Sequence, residues 1–198
     1  MGLNEPILVQ IFNFFRNALT GNLGYDVWSN RPVTDMILES FPNTLFLGFI
    51  AMAWALVSGI ALGCVAVVWR DSFVDRVLGL VSVSFISVPS FVIAIYSLLI
   101  FAVWLGWFPA IGAGTRGDIA SQIRAVVLPS LAIGLTWTGY LARLVRASML
   151  EVMEAPHIRT ARAFGLPERT IVTRYALRIA IIPTIAIVAV GFGSILSS

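Results

Sequence analysis

"LFLGFIAMAWALVSGIALGCVAVVW", residues 45–69, runs from end to end without a charged side chain. A helix needs about 20 apolar residues to cross the hydrocarbon core of a bilayer, so this stretch predicts a membrane span. It closes on Trp69, a residue type that collects at the membrane–water interface, and Arg70 follows at once. Residues 77–105, 126–142 and 179–198 are also uncharged, and Trp104 and Trp107 mark the end of the first of these. A soluble core could hide one such helix, but four in succession predict an all-α, multi-pass transmembrane helical bundle. Composition agrees: of 198 residues 59% are hydrophobic and only 12% charged. A soluble domain carries about 25% charged residues. Mean hydropathy is +0.92.

The arginines orient the spans. All 13 basic side chains other than His157 are arginine. Arg70 and Arg76 bracket the loop after the first span. Arg143, Arg146, Arg159, Arg162, Arg169, Arg174 and Arg178 fill the connection between the third and fourth. The other side holds Arg16, Arg31, Arg116 and Arg124, partly offset by Glu5, Asp26, Asp35, Glu39 and Asp118. The positive-inside rule makes 70–76 and 143–178 cytoplasmic, and both fit one threading of four spans. The domain division that follows is an extracytoplasmic or interfacial segment, 1–41, and a membrane domain, 42–198.

Small residues mark helix contacts. Ala51, Ala55, Gly59 and Gly63 form one ridge, and Ser130, Gly134, Thr138 and Ala142 another. Ridges of this kind let helix backbones approach closely in lipid. Pro89 should kink the second span, and Pro129 and Pro183 should only bend helix entries. In "PILVQIFNFFRNAL", residues 6–19, Leu8, Ile11, Phe12, Phe15 and Leu19 share one face, which predicts an amphipathic helix lying in the interface. Residues 33–41 fit a short helix ending before Pro42. No basic stretch precedes an apolar run at the start, so no signal peptide is expected there.

No catalytic constellation is visible. One cysteine (Cys64) and one histidine exclude a Cys/His metal cluster, and no phosphate loop occurs. Cys64 suits packing and His157 a solvated surface. The spans hold no ionisable group of the kind that builds proton relays. Energy for uphill transport would therefore come from outside the chain.

"RTARAFGLPERTIVTRYALR", residues 159–178, is the exception to so much oil. Residues 148–164 fit a helix, Gly165 a left-handed C′ position, and Pro167 the first turn of a following helix with Glu168 at its positive end. Ala161 and Gly165 would leave room for another surface. The spacing of Ala161, Gly165 and Ile171 also suits a DNA-reading helix-turn-helix. Here, however, the second helix would run straight into lipid after Arg178, so no nucleic-acid partner is expected. Arginines anchored at lipid headgroups would account for Arg143, Arg146 and Arg178 but not for the Gly-Pro corner.

Glu151 together with Arg159, Thr160, Ala161, Arg162, Ala163, Gly165 and Pro183 resembles the cytoplasmic signature loop of binding-protein-dependent ABC transporter permeases. The similarity is to the branch importing peptides, nickel and related solutes, and to the first of its two permease subunits; "GNLG", "RPV", "PNTLFL" and "LGWFP" extend it along the chain. The resemblance implies a permease subunit in a prokaryotic plasma (inner) membrane, with the loop docking on a cytoplasmic ATPase as a coupling helix. It implies as partners a second permease, two ATPase subunits and an extracytoplasmic solute-binding protein. ATP and magnesium would sit on the ATPases, so no cofactor or metal is expected on this chain. Pro156 and His157 stand where acidic and aromatic residues are usual, and Phe164 where lysine is common. Such permeases have six spans. This chain opens like the segment after the family's first span and stops inside its fifth, so one further span on each side is expected. No solute or substrate-binding residue is implied. The rival reading is a small oligomeric channel or secondary carrier that works without ATP.

Overall fold

A computed structural model describes residues 6–112, 114 and 117–196. Glu5 and Arg116, both counted on the outer side, lie outside the described residues, as do the two chain ends. The described residues form helices, with one isolated antiparallel bridge between Tyr25 and Pro32 and no strand.

The chain divides into two compact units, residues 1–46 and 47–198. The first holds α1 (Ile7–Leu19) and the start of α2 (Val33–Val68). Between them the chain makes a braced turn. The Thr34 hydroxyl donates to the Gly21 carbonyl at 2.8 Å, the Val33 amide to Gly24 at 3.0 Å, and Arg31 pairs with Glu39 at 2.9 Å. Asp26 accepts from both the amide and the hydroxyl of Ser29, which hold its carboxyl below the usual carboxylate range. On α1 the apolar residues point outward: Leu8, Phe12, Phe15 and Leu19 are exposed while Gln10 and Asn13 are partly covered. The short helix expected at 33–41 is instead the first turns of α2. Pro42 lies inside α2 without ending it. Proline costs one backbone bond there, a loss that the remaining turns of a long helix tolerate.

In the second unit α2 is followed by α3 (Phe73–Ser87), α4 (Ser90–Ser97), which opens into a π-helical stretch (Leu98–Trp104), and the long α5 (Ile119–Met153). Then come α6 (Pro156–Ala163), the single turn α7 (Glu168–Thr170), a second π-helical stretch (Ile171–Ala176) and α8 (Leu177–Leu196). Three helical stretches are long and apolar enough to cross a membrane, and the α3–α4 pair makes a fourth if taken as one span. Pro89 does more than kink that span. It breaks it, and the two halves diverge by 94°. Pro129 and Pro183 sit inside continuous helices, not at their entries.

α5 is the central helix, and its small residues set the packing. A Cβ at Gly59 of α2 would stand 2.7 Å from the Leu141 Cβ, and one at Gly63 would stand 2.9 Å from the Ala142 carbonyl oxygen. Gly134 lies against the Trp54 ring, whose Nε1 donates to the Ser130 carbonyl at 3.1 Å. Ser58 and Thr138 share a hydroxyl–hydroxyl bond of 2.8 Å. The two ridges thus face one another, with Ala51, Ala55, Gly59, Gly63, Ser130, Gly134, Thr138 and Ala142 all buried. On its other sides α5 seats α3, where Gly139 meets the Ser82 carbonyl, and α8, where Gly191 meets Trp137.

Candidate functional site

The arginine-rich connection gathers at one end of the bundle. The helix expected over 148–164 is two helices: α5 stops at Met153, and α6 restarts with Pro156 at its first position. Proline has no amide to leave unsatisfied there, so it starts a helix as readily as it ends one. α6 is amphipathic. Ile158 and Ala161 turn inward onto Val67 of α2, Val145 and Met149 of α5, and Ile171, Val172 and Ala176 beyond the corner. Ala161 is therefore a packing residue, only 6% exposed, and not an open docking position. The π-helical stretch helps here by turning Ile171, Val172 and Ala176 all inward.

The opposite face is open. His157, Arg159, Thr160, Arg162, Ala163 and Gly165 are exposed, and Phe164 is 81% exposed at the corner itself. Gly165 has φ +74°, with nothing within 4 Å of where a Cβ would be. Its amide closes the helix by donating to the Arg162 carbonyl at 2.9 Å. The corner is clamped from outside by Arg162, which pairs with Glu168 at 2.7 Å and is held protonated by that bond above the ordinary guanidinium range. Arg162 is thus engaged within the chain. Glu151 and Pro183 lie away from this face, on α5 and inside α8.

An ion pair missing from the sequence reading fixes the same end. Arg146 of α5 grips Asp75 of α3 with two bonds, Nε to Oδ1 at 2.8 Å and NH2 to Oδ2 at 2.7 Å. Arg146 is therefore a helix-to-helix tie and not a headgroup anchor. Asp75 is 7% exposed and also accepts from the Asp71 amide at 3.1 Å. Ser72 caps α3 by accepting from the Asp75 amide, while its own hydroxyl donates to the Trp69 carbonyl. The signal was present: Ser72-x-x-Asp75 has the spacing of a capping box. Phe164 carries no charge, so the arginine pattern gives it no signal. The pair joins the 70–76 turn to the 143–178 connection at one end of the bundle.

Asp75→Ala should destabilise the chain in detergent by about 1.5–3 kcal/mol, the usual range for hydrogen bonds to charged groups. The check is thermal unfolding, with Asp75→Asn intermediate. If Arg146→Ala added the same loss again in the double variant, the two residues would not be acting as one pair.

Residues 55–198 match the family described as the binding-protein-dependent transport system inner membrane component. The chain belongs to this family. Among curated relatives, the glutathione transport system permease protein GsiC of Escherichia coli (strain K12) is 36% identical over 196 residues, covering 99% of this chain and 62% of the relative. GsiC of Pectobacterium atrosepticum is 38% identical with the same coverage. GsiC of Escherichia coli O6:H1 stands at 37%. The chain thus spans 62% of the length of the curated relatives it matches. Membership makes this a transport component of an inner membrane, in accord with its membrane-length helices. The family match takes in all of α3 to α6 and the corner at Gly165, so the site just described lies wholly within it.

Proposed function

We propose that the chain is the permease subunit of an ATP-driven importer, and that α6 with its corner is the surface on which a cytoplasmic ATPase docks. The observation that carries this is the division of α6 into two faces. One is welded to the ends of α2 and α5 by Ile158 and Ala161. The other presents Phe164 and exposed polar side chains to the cytoplasm. A surface built this way transmits a push without bending, because the apolar weld leaves the helix no separate freedom. Phe164 would fill a pocket on the ATPase, an anchor of the kind that carries most of the energy in an interface. The partners are then a second permease, two ATPase subunits that carry ATP and magnesium, and an extracytoplasmic solute-binding protein. The solute class is peptide-like, glutathione by analogy with the relatives' names. No nucleic acid takes part.

The test is a photo-crosslinking phenylalanine analogue at Phe164 in the assembled importer. We expect a crosslink to the ATPase from Phe164 and none from Trp28, which lies in the outer segment. An importer that assembles and hydrolyses ATP, yet gives no ATPase crosslink from Phe164, would refute the docking assignment. Solute uptake that persists without any ATPase would favour the channel or carrier reading instead.

A further inference from the structure

The break between α3 and α4 can be placed in depth. Counting half of the about 20 residues that span the hydrocarbon core back from Trp69 puts the midplane near Gly59. Gly59 is level with Thr138 and Leu141 of α5, and the neighbouring Gly139 touches the Ser82 carbonyl, Phe85 and Ile86 of α3. Ser82 is therefore also near the midplane. From there to the end of α3 at Ser87 is about 7 Å of helix, at a rise of about 1.5 Å per residue. The hydrocarbon extends about 15 Å on either side of the midplane. The break lies inside it.

Open backbone at that depth is not lipid-compatible. The hydrogen bonds at the break are those of the Val88 amide to the Ser84 carbonyl, and of the Val92 and Ile93 amides to the Pro89 carbonyl. Among the described residues none links α3 to α4 across it. The last carbonyls of α3 and the first amides of α4 are therefore open, and Ser87 through Phe91 are all exposed. Ser84 joins them on the same face of α3, three residues before Ser87, and both hydroxyls donate inward to Leu80 and Val83, which turns their acceptor lone pairs outward. Each unsatisfied peptide group costs several kcal/mol in hydrocarbon, so irregular backbone persists at this depth only against protein or water.

We infer that residues 84–91 line the water-filled path through the membrane, and that the open peptide groups of the break with Ser84, Ser87 and Ser90 form a hydrogen-bonding station for the passing solute. This rests on the permease reading above and adds the residues that meet the cargo. The station offers carbonyl acceptors at the end of α3, the outward lone pairs of Ser84 and Ser87 as further acceptors, and amide donors at the start of α4. It carries no fixed charge. It suits a polar solute rich in amide and carboxylate groups, bound weakly enough to leave.

Cysteine accessibility tests this in the full chain, assembled with its partner subunits in membrane vesicles, in a Cys64→Ser background. A thiol in low dielectric rarely ionises, so a membrane-impermeant charged maleimide should modify Ser87→Cys and Ser90→Cys about tenfold faster than a lipid-facing thiol. Val57→Cys, exposed on α2 near the same depth, is the reference. Modification should also abolish uptake of S-methylglutathione, whose capped sulfur does not consume the reagent. If both serine positions react as slowly as Val57→Cys in vesicles that still take up solute, the inference is overturned and the permease reading stands. Fast labelling without any ATP-dependent uptake by the unmodified Cys64→Ser importer would support the aqueous path and count against the permease reading.

Discussion

Gly165→Val is expected to cut ATP-coupled uptake about tenfold or more while leaving the chain inserted and folded. The residue sits at φ +74°, and a Cβ added there would have nothing within 4 Å, so the space for a valine side chain is open. Its penalty is backbone strain, about 1–3 kcal/mol for a non-glycine residue held in a left-handed conformation, and most for a β-branched one. The chain escapes that strain by unwinding the corner, which moves Phe164 and parts Arg162 from Glu168. Uptake should fall about tenfold or more, since 1.4 kcal/mol is tenfold in any equilibrium on which coupling depends. Gly165→Asn should retain most activity, because asparagine tolerates the left-handed region better than other side chains. The measurements are solute uptake and binding-protein-stimulated ATP hydrolysis by the assembled complex, with ATPase pull-down alongside. Normal transport by a correctly assembled Gly165→Val importer would remove the corner from the coupling mechanism.

Gly63→Val should be severely damaging within the bundle. The new side chain would begin 2.8 Å from Val145 Cβ and 2.9 Å from the Ala142 carbonyl. A side chain can rotate away, but a helix backbone cannot, so α2 and α5 must separate. Overpacking of this kind costs about 1–3 kcal/mol and sometimes more. Here it should also break the Ser58–Thr138 bond one turn away. We expect a lowered unfolding temperature in detergent and poor recovery of folded chain. Adding Val145→Ala should restore part of the loss, whereas Gly79→Ala, with nothing within 4 Å, should be neutral or mildly stabilising. Equal stability of Gly63→Val and Gly79→Ala would mean the two ridges do not touch as described.

The two ridges and the left-handed glycine were legible in the sequence because each rests on residue size or backbone freedom, which are properties of single residues. The spans were legible for the same reason, since hydropathy sums along the chain. Their ends were not. Pro42 reads as a stop and is carried through, because the turns on either side of it hold α2 together. Pro156 reads as a bend or a helix start, and it starts α6. Pro89 reads as a kink and ends a helix, since Val88 beside it turns to extended backbone and caps α3. The same residue type has three outcomes, decided by neighbours that composition does not weigh. Ala161 and Arg146 were misplaced because the count of arginines and small residues says nothing of which face of α6 or α5 they occupy.

The close approach of α2 and α5 also makes one stiff beam of two helices. Their contact is a seam and not a point, running from Ser130 and Gly134 beside Trp54 to Val145 against Gly63. Along α5 that seam is about 22 Å long, at about 1.5 Å per residue. Because α6 packs on the ends of both helices, a displacement at that end carries the two together. Pro129 lies just beyond the seam, where a missing backbone bond makes α5 most compliant. The beam is rigid at the α6 end and softest where it reaches toward Ile119.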